Sequence, residues 1–178
     1  IKIEENGIEI AEEYGELLFA EYGISGIVVM DLSKYVSDSK IKSNQSKYIA
    51  SIDFVPEYST QELINHIEGF GTLEGILPKK LCSILSRQAD GNIELIAKYA
   101  KNWRIIITGT KGFDFAQITA GGVPIDELDE FNQSTINENL YITGELTDNQ
   151  FRCGGFNLNY AFTSGIKAAD SITGKIYD

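Results

Sequence analysis

Alternating strand-like segments stand on both sides of a helical block, and this arrangement limits the folds open to the chain. Tyr48, Ala50, Ile52 and Phe54 alternate with Ser51 and Asp53, which predicts a half-buried strand ending at Pro56. Trp103-Arg104-Ile105-Ile106-Ile107-Thr108 predicts another strand. Between them the period changes to that of a helix. Ser59-Thr60-Gln61-Glu62 forms a capping box before Leu63, Ile64 and Ile67, with Gly69 as the expected stop. Pro78 suits a first helical position before Leu81, Ile84 and Leu85, with Gly91 as terminator. Asn92 is placed to cap a further helix through Leu95, Ile96 and Tyr99. The reading is a small helical subdomain inserted between strands.

The N-terminal part has strand character too. Ile1-Lys2-Ile3-Glu4 and Ile8-Glu9-Ile10 alternate around Glu5-Asn6-Gly7, a hairpin pattern, and Tyr14 to Phe19 suggests a second strand pair. Ser25 could cap a helix carrying Val28, Val29, Leu32 and Val36, and residues 37–47 read as a polar loop. After Trp103–Thr108, a Gly109-Thr110-Lys111-Gly112 turn leads into Phe113–Thr119. Asn139–Glu145 reads as a short apolar strand ending at a glycine and a carboxylate. The acidic run 126–130 is expected to be a solvated loop.

Two classes of partner are disfavoured by charge and hydropathy. The net charge of −11 argues against nucleic acid and against an anionic membrane surface. No apolar run approaches the ~20 residues that span a bilayer. A single histidine, His66, leaves little material for a zinc site or a Ser-His-Asp triad, and it is expected on a helix surface. Cys82 and Cys153 show no metal-ligand spacing, so reduced thiols and a cytoplasmic setting are expected. The chain starts at Ile1, which predicts that it is part of a longer protein.

The chemistry-bearing stretch is Cys153-Gly154-Gly155-Phe156-Asn157-Leu158, opening a helical pattern with small residues Ala161, Gly165, Ala168 and Ala169. A helix start carries unpaired N–H groups and about half a positive charge, so it suits an anion or an electron-rich oxygen. An ordinary glycine turn before a C-terminal helix fits the same residues. Gly69-Phe70-Gly71-Thr72-Leu73-Glu74-Gly75 has near-dinucleotide glycine spacing but follows a helix, and the fingerprint requires a preceding strand. It reads as an inter-helix turn. The Gly144-Glu145 pair ahead of the glycine-opened helix would suit the ribitol and pyrimidine parts of a flavin.

Five motifs occur in order: Glu16–Phe19 with Tyr22-Gly23-Ile24-Ser25-Gly26, Thr108–Phe113, Gln117–Val123, Leu140–Glu145 and Cys153–Leu158. In these the chain resembles the C-terminal portion of the HI0933-like (BaiN- or YhiN-type) FAD-dependent oxidoreductases. The resemblance implies an α+β fold: a β-rich, barrel-like domain at 1–57 and 103–119, a helical insertion at 58–102, and the C-terminal strand–helix segment of a Rossmann-type FAD domain at 120–178. It implies Gly144, Glu145 and Asp148 near the ribitol and phosphates. Gly154, Gly155, Phe156, Asn157 and Leu158 would lie against the isoalloxazine, with Ala120, Gly121 and Gly122 beside the ring and substrate pocket. Two departures stand out. The family's Asp-x-Asp-Gly run is here Asp148-Asn149-Gln150-Phe151, and the proline that often follows Tyr-Gly-Ile-Ser-Gly is Ile27. No acid, base or nucleophile stands out, so redox chemistry would rest on FAD, with NAD(P)H among the implied reductants. The implied partners are a small-molecule substrate and an N-terminal FAD half-domain, without which this chain alone is expected to bind FAD weakly or not at all. A non-catalytic β/α ligand- or protein-binding module is the competing expectation.

Overall fold

A computed structural model describes residues 1–174 of the chain. Its fold is mixed α+β, as expected, and the chain forms two compact units: Ile1–Tyr14 with Tyr35–Gly109, and Gly15–Lys34 with Thr110 onward.

The first unit is built on a four-stranded antiparallel sheet. Strands β1 (Lys2–Glu5) and β2 (Ile8–Glu12) form the expected hairpin. Asn6 and Gly7 both have positive φ (53° and 85°), the geometry that favours Asn-Gly in a two-residue turn. Strand β5 (Tyr48–Ile52) pairs with β1 on one side and with β6 (Trp103–Ile107) on the other, giving the order β2-β1-β5-β6. Tyr48, Ala50 and Ile52 are buried while Ile49 and Ser51 are less so, matching the alternation in the sequence. The sheet is open, with β2 and β6 as edges, and no barrel closes among the described residues. The expected polar loop at 37–47 contains a short helix, α2 (Asp38–Lys42). Asp38 in its first turn and Lys40 and Lys42 in its last complement the helix dipole, which a reading of polarity alone overlooks.

Helices α3 (Thr60–Phe70), α4 (Lys79–Gln88) and α5 (Ile93–Lys101) form the block between β5 and β6. The Ser59–Glu62 capping box is present on both sides, and the Asn92 side chain accepts from Leu95 N–H at 3.0 Å. Helix α3 runs past Gly69 and stops at Gly71, which takes the left-handed conformation (φ 75°). The inter-helix turn expected at Gly69–Gly75 therefore begins only at Gly71, with Gly69 and Phe70 still in the helix. Leu63, Ile67, Leu73, Leu77, Cys82, Leu85, Ile96, Ala97 and Ala100 form the core, and the small Ala97 and Ala100 are fully buried on α5. His66 is half-buried on α3 and stacks on Phe70, with ring centroids 4.7 Å apart. Lys101 joins this block to the end of β5, bonding Asp53 at 2.7 Å and the Val55 carbonyl at 3.0 Å.

Glu5 gathers three donors on one oxygen: Ser46 Oγ at 2.6 Å, Tyr48 OH at 3.0 Å and Lys40 Nζ at 3.0 Å. These bonds, the one from Ser46 foremost, hold its carboxyl below the usual value of 4.5. A depressed folded-state pKa contributes stability that is present above the unfolded value and is lost as pH falls through the folded value. Glu5→Gln is therefore expected to lower the urea midpoint at pH 7, with the gap from the parent shrinking once pH falls below about 4.5. A gap that stays constant into acid would show that the charge on Glu5 plays no part.

The second unit opens with a two-stranded hairpin, β3 (Leu18–Ala20) and β4 (Gly23–Ser25), followed by α1 (Ile27–Ser33). Ser25 does not cap α1. It lies in β4, where its Oγ accepts from Tyr22 OH at 3.2 Å, and Gly26 takes the cap position with φ 104°. A Cβ at Gly26 would come within 2.6 Å of the Glu16 carbonyl, so only glycine fits there. Phe113–Phe115 forms a single 3₁₀ turn, and the acidic run at 126–130 is an exposed turn in which Asp129 accepts from Phe131 N–H and Gln133 N–H. The expected strand at Asn139–Glu145 is absent: Tyr141 makes one bridge to Gln133, and Gly144–Leu146 is a 3₁₀ turn. Gly144 has φ 62° and sends its N–H to Ser164 Oγ, so the backbone leaves extended geometry there. The long helix α6 (Phe156–Thr173) follows the glycine pair as expected. The last residues of the 120–178 segment lie outside the described residues. Among the described residues no helix is long and apolar enough to cross a membrane.

Candidate cofactor site

The residues that the resemblance implies for the cofactor all lie in the second unit. Gly144 sits beneath α6: a Cβ on it would lie 3.4 Å from Ala161 Cβ. Its N–H donates to Ser164 Oγ at 3.0 Å, and Ser164 is 1% exposed. The small residues Ala161, Ser164 and Ala168 thus form the covered face of α6, which lets the 144–146 turn lie close.

Thr147 links that turn to the helix. Its Oγ1 donates to the Gly144 carbonyl at 2.8 Å and lies 3.2 Å from the Tyr160 hydroxyl. Thr147 is 2% exposed, so this is a buried and satisfied polar contact. Neither Thr147, Tyr160 nor Ser164 stands out in the sequence. Ser164 carried the clearest signal, a polar residue on the small-residue face of the helix.

Ala120-Gly121-Gly122 lies alongside residues 146–148. Val123 N–H donates to the Leu146 carbonyl at 2.9 Å, and Asp148 N–H donates to the Val123 carbonyl at 2.8 Å. Gly122 is pressed flat against this segment: a Cβ there would lie 2.6 Å from the Leu146 carbonyl oxygen and 2.7 Å from Thr147 C. Gly121 has φ 91° with open space where its side chain would be. Glu145 is exposed, and its Oε1 accepts from Thr119 N–H at 2.5 Å, which holds the entry to the 120–122 run. Asp148 is also exposed, with Gln150 Nε2 3.4 Å from its Oδ1.

The glycine-pair loop is held on both flanks. Asn157 accepts from Phe151 N–H at 2.9 Å and returns its amide to the Phe151 carbonyl at 3.0 Å. Cys153 N–H donates to Asp31 of α1 at 2.7 Å, and the Cys153 thiol donates to Gln117 Oε1 at 3.0 Å. Cys82 and Cys153 are both free thiols. Between these anchors, Gly154 (φ 120°) and Gly155 (φ 95°) adopt backbone geometry that suits glycine. No side chain caps α6, so its first N–H groups leave the helix without a side-chain acceptor. Phe156 and Leu158 are 58% and 66% exposed beside that start. A bare, uncapped start to an 18-residue helix, its loop held on both flanks by hydrogen bonds, is the arrangement that receives an electron-rich planar edge.

Residues 1–118 match the family model described as HI0933-like protein barrel and H2TH domain, and the chain belongs to this HI0933-like family. It is 32% identical over 182 residues to the 3-dehydro-bile acid delta(4,6)-reductase of Clostridium scindens, covering 89% of this chain and 44% of that protein. It is 29% identical over 182 residues to the ribosomal RNA dihydrouridine synthase of Haemophilus influenzae, covering 90% and 43%. With the protein of that name in Escherichia coli it is 26% identical over 189 residues, covering 94% and 44%. The chain therefore spans less than half the length of each of these relatives.

Proposed function

We propose that this chain is the part of an FAD-dependent oxidoreductase that closes on the flavin and reduces a carbon–carbon double bond conjugated to a carbonyl. The observation that carries the reading is the uncapped, glycine-opened start of α6. Membership of the HI0933-like family supports it, as does the chemistry in the relatives' names. A delta(4,6) double bond in a 3-dehydro steroid and the ring double bond of a uracil are both conjugated to a carbonyl, so one type of reduction covers both names.

The residues fit a flavin in part. The N–H groups of Phe156, Asn157 and Leu158 would face the pyrimidine edge, where negative charge gathers on reduction. The bare backbone of Gly154, Gly155 and Gly121 would admit the flat ring, with Ala120 and Gly122 at its side. Gly144 and Asp148 would lie toward the ribitol and phosphates. Glu145 has one oxygen committed to Thr119, so its main task is to fix the 119–122 run. When bound, FAD supplies the hydride, and NAD(P)H is the reductant class that would renew it. In this reading residues 1–57 with 103–119 form the β-rich domain, 58–102 the helical insertion, and 120–178 the returning part of the FAD domain.

The two dihydrouridine synthases favour a second reading, in which the substrate is a uridine in RNA. The net charge of −11 weighs toward a small-molecule substrate. Gly155→Ala tests the site. Space is open around a Cβ at this position, so the fold should lose only about 1 kcal/mol from the positive φ. Flavin affinity in the full-length gene product should fall at least ~10-fold, about 1.4 kcal/mol, because the methyl group occupies the approach to the helix start. Unchanged affinity, measured by fluorescence titration, would remove Gly155 from the site.

A further inference from the structure

The apolar surface of α6 is wider than its own unit covers. Ala161, Ser164 and Ala168 make up the covered face, against the 144–146 turn. At 3.6 residues per turn, Leu158, Phe162, Gly165, Ile166, Ala169 and Ile172 fall within an adjoining arc of about 120°. The four large side chains of that arc, Leu158, Phe162, Ile166 and Ile172, are 66%, 71%, 61% and 65% exposed. Lys167 and Asp170, the charged residues of the helix, lie outside the arc. Thr173 is the polar residue within it, and its hydroxyl is taken up by the Ala169 carbonyl at 2.9 Å. The covered face and the exposed arc together span about 200°, where a helix with one neighbour needs an apolar stripe of only about 100°. This is the surface of a helix with neighbours on two sides. Gly165 and Ala169 sit among the large side chains, and nothing lies within 4 Å of a Cβ on Gly165, so a second neighbour can come close there.

We propose that this arc is the docking surface for the part of the full-length gene product outside these 178 residues, which in the flavin-dependent reading above is the N-terminal FAD half-domain. The identity of that segment rests on the flavin reading. The chain spans only 43–44% of the length of its relatives, so a gene product of their size has the larger part of its chain available to cover the arc. A covalently tethered segment also meets the arc at a high effective concentration, which a second copy does not. The arc offers no charge to pair, so the surface that meets it is apolar and uncharged, since a charge buried there would lack a partner. A membrane surface fits poorly. Helices that lie on membranes carry several Lys and Arg on the polar face, and α6 carries Lys167 alone.

The test uses the full-length gene product carrying Ile166→Cys or Lys167→Cys, labelled with a maleimide and read by peptide mass spectrometry, so that Cys82 and Cys153 are scored separately. In the folded protein the Ile166→Cys thiol should react at least ~100-fold more slowly than in urea, because the reagent must wait for local opening. The Lys167→Cys thiol, one residue on but outside the arc, should stay within ~10-fold of its rate in urea. The unaltered protein gives a second readout: hydroxyl-radical oxidation of Phe162 should rise at least ~10-fold on unfolding. A folded monomer in which the Ile166→Cys thiol reacts as fast as in urea would overturn the docking, and flavin bound to that monomer would leave the flavin reading standing. Protection that vanishes when a dimer is diluted to monomer, followed by light scattering, would assign the arc to a second copy and overturn the proposal. Protection in a monomer that binds no flavin would uphold the docking and overturn the identity of the docked segment as an FAD half-domain.

Discussion

Gly122→Ala is expected to cost about 3 kcal/mol of stability, from positive-φ strain of roughly 1–3 kcal/mol and overpacking of a similar size. The atoms in its way are the Leu146 carbonyl oxygen at 2.6 Å, Thr147 C at 2.7 Å and Asp148 N at 2.9 Å. All are backbone, so no side chain can swing aside. The bridge between Val123 and Thr147 would have to open, and Thr147 would lose the position from which it binds Gly144 and approaches Tyr160. Gly121→Ala is the control: it too has a positive φ, but nothing lies within 4 Å of its Cβ. It should cost about 1 kcal/mol. Chemical denaturation without added flavin separates the two. Equal losses for both variants would mean that the close approach at Gly122 does not hold the 120–122 and 146–148 segments together.

Leu85→Ala should cost about 3 kcal/mol through a different mechanism. Leu85 is fully buried among α3, α4 and α5, with Leu63, Ile67 and Ala97 in the same core. Truncation removes the transfer energy of the lost carbons and leaves a cavity that three short helices can only partly fill. Ile106→Ala, at a position 59% exposed on the edge strand β6, should stay within about 0.5 kcal/mol. A loss below about 1 kcal/mol for Leu85→Ala would show that the helical block is loosely packed. Flavin affinity should respond less to Leu85→Ala than to Gly155→Ala, because Leu85 lies in the first unit and the candidate site lies in the second.

Local signals with a defined hydrogen bond or dihedral were legible in the sequence. The Ser59–Glu62 box, the Asn92 cap, the Asn6-Gly7 turn and the glycine pair before α6 each depend on a few adjacent residues. Features decided by distant partners were hidden. Gly26 displaced Ser25 as the start of α1 because the Glu16 carbonyl lies against it, a contact that sequence cannot show. Asn139–Glu145 looks like a strand, yet Gly144 turns under α6 because Ser164 receives its N–H. The site was legible in outline, since its glycines must be bare whatever surrounds them. Its supports Thr147, Tyr160 and Asp31 act through tertiary hydrogen bonds at the Gly144 turn and at Cys153, and nothing in their local sequence marks them.

The central claim is that the glycine-opened start of α6 binds a flavin. Its most direct measurement is the visible absorption spectrum of the full-length gene product, purified without added cofactor and compared with Gly155→Ala. The account predicts the two-band spectrum of bound oxidised flavin in the parent, bleached by NAD(P)H under anaerobic conditions, with flavin content clearly reduced in Gly155→Ala. A correctly folded parent protein that is colourless, and stays so after incubation with FAD, would contradict it.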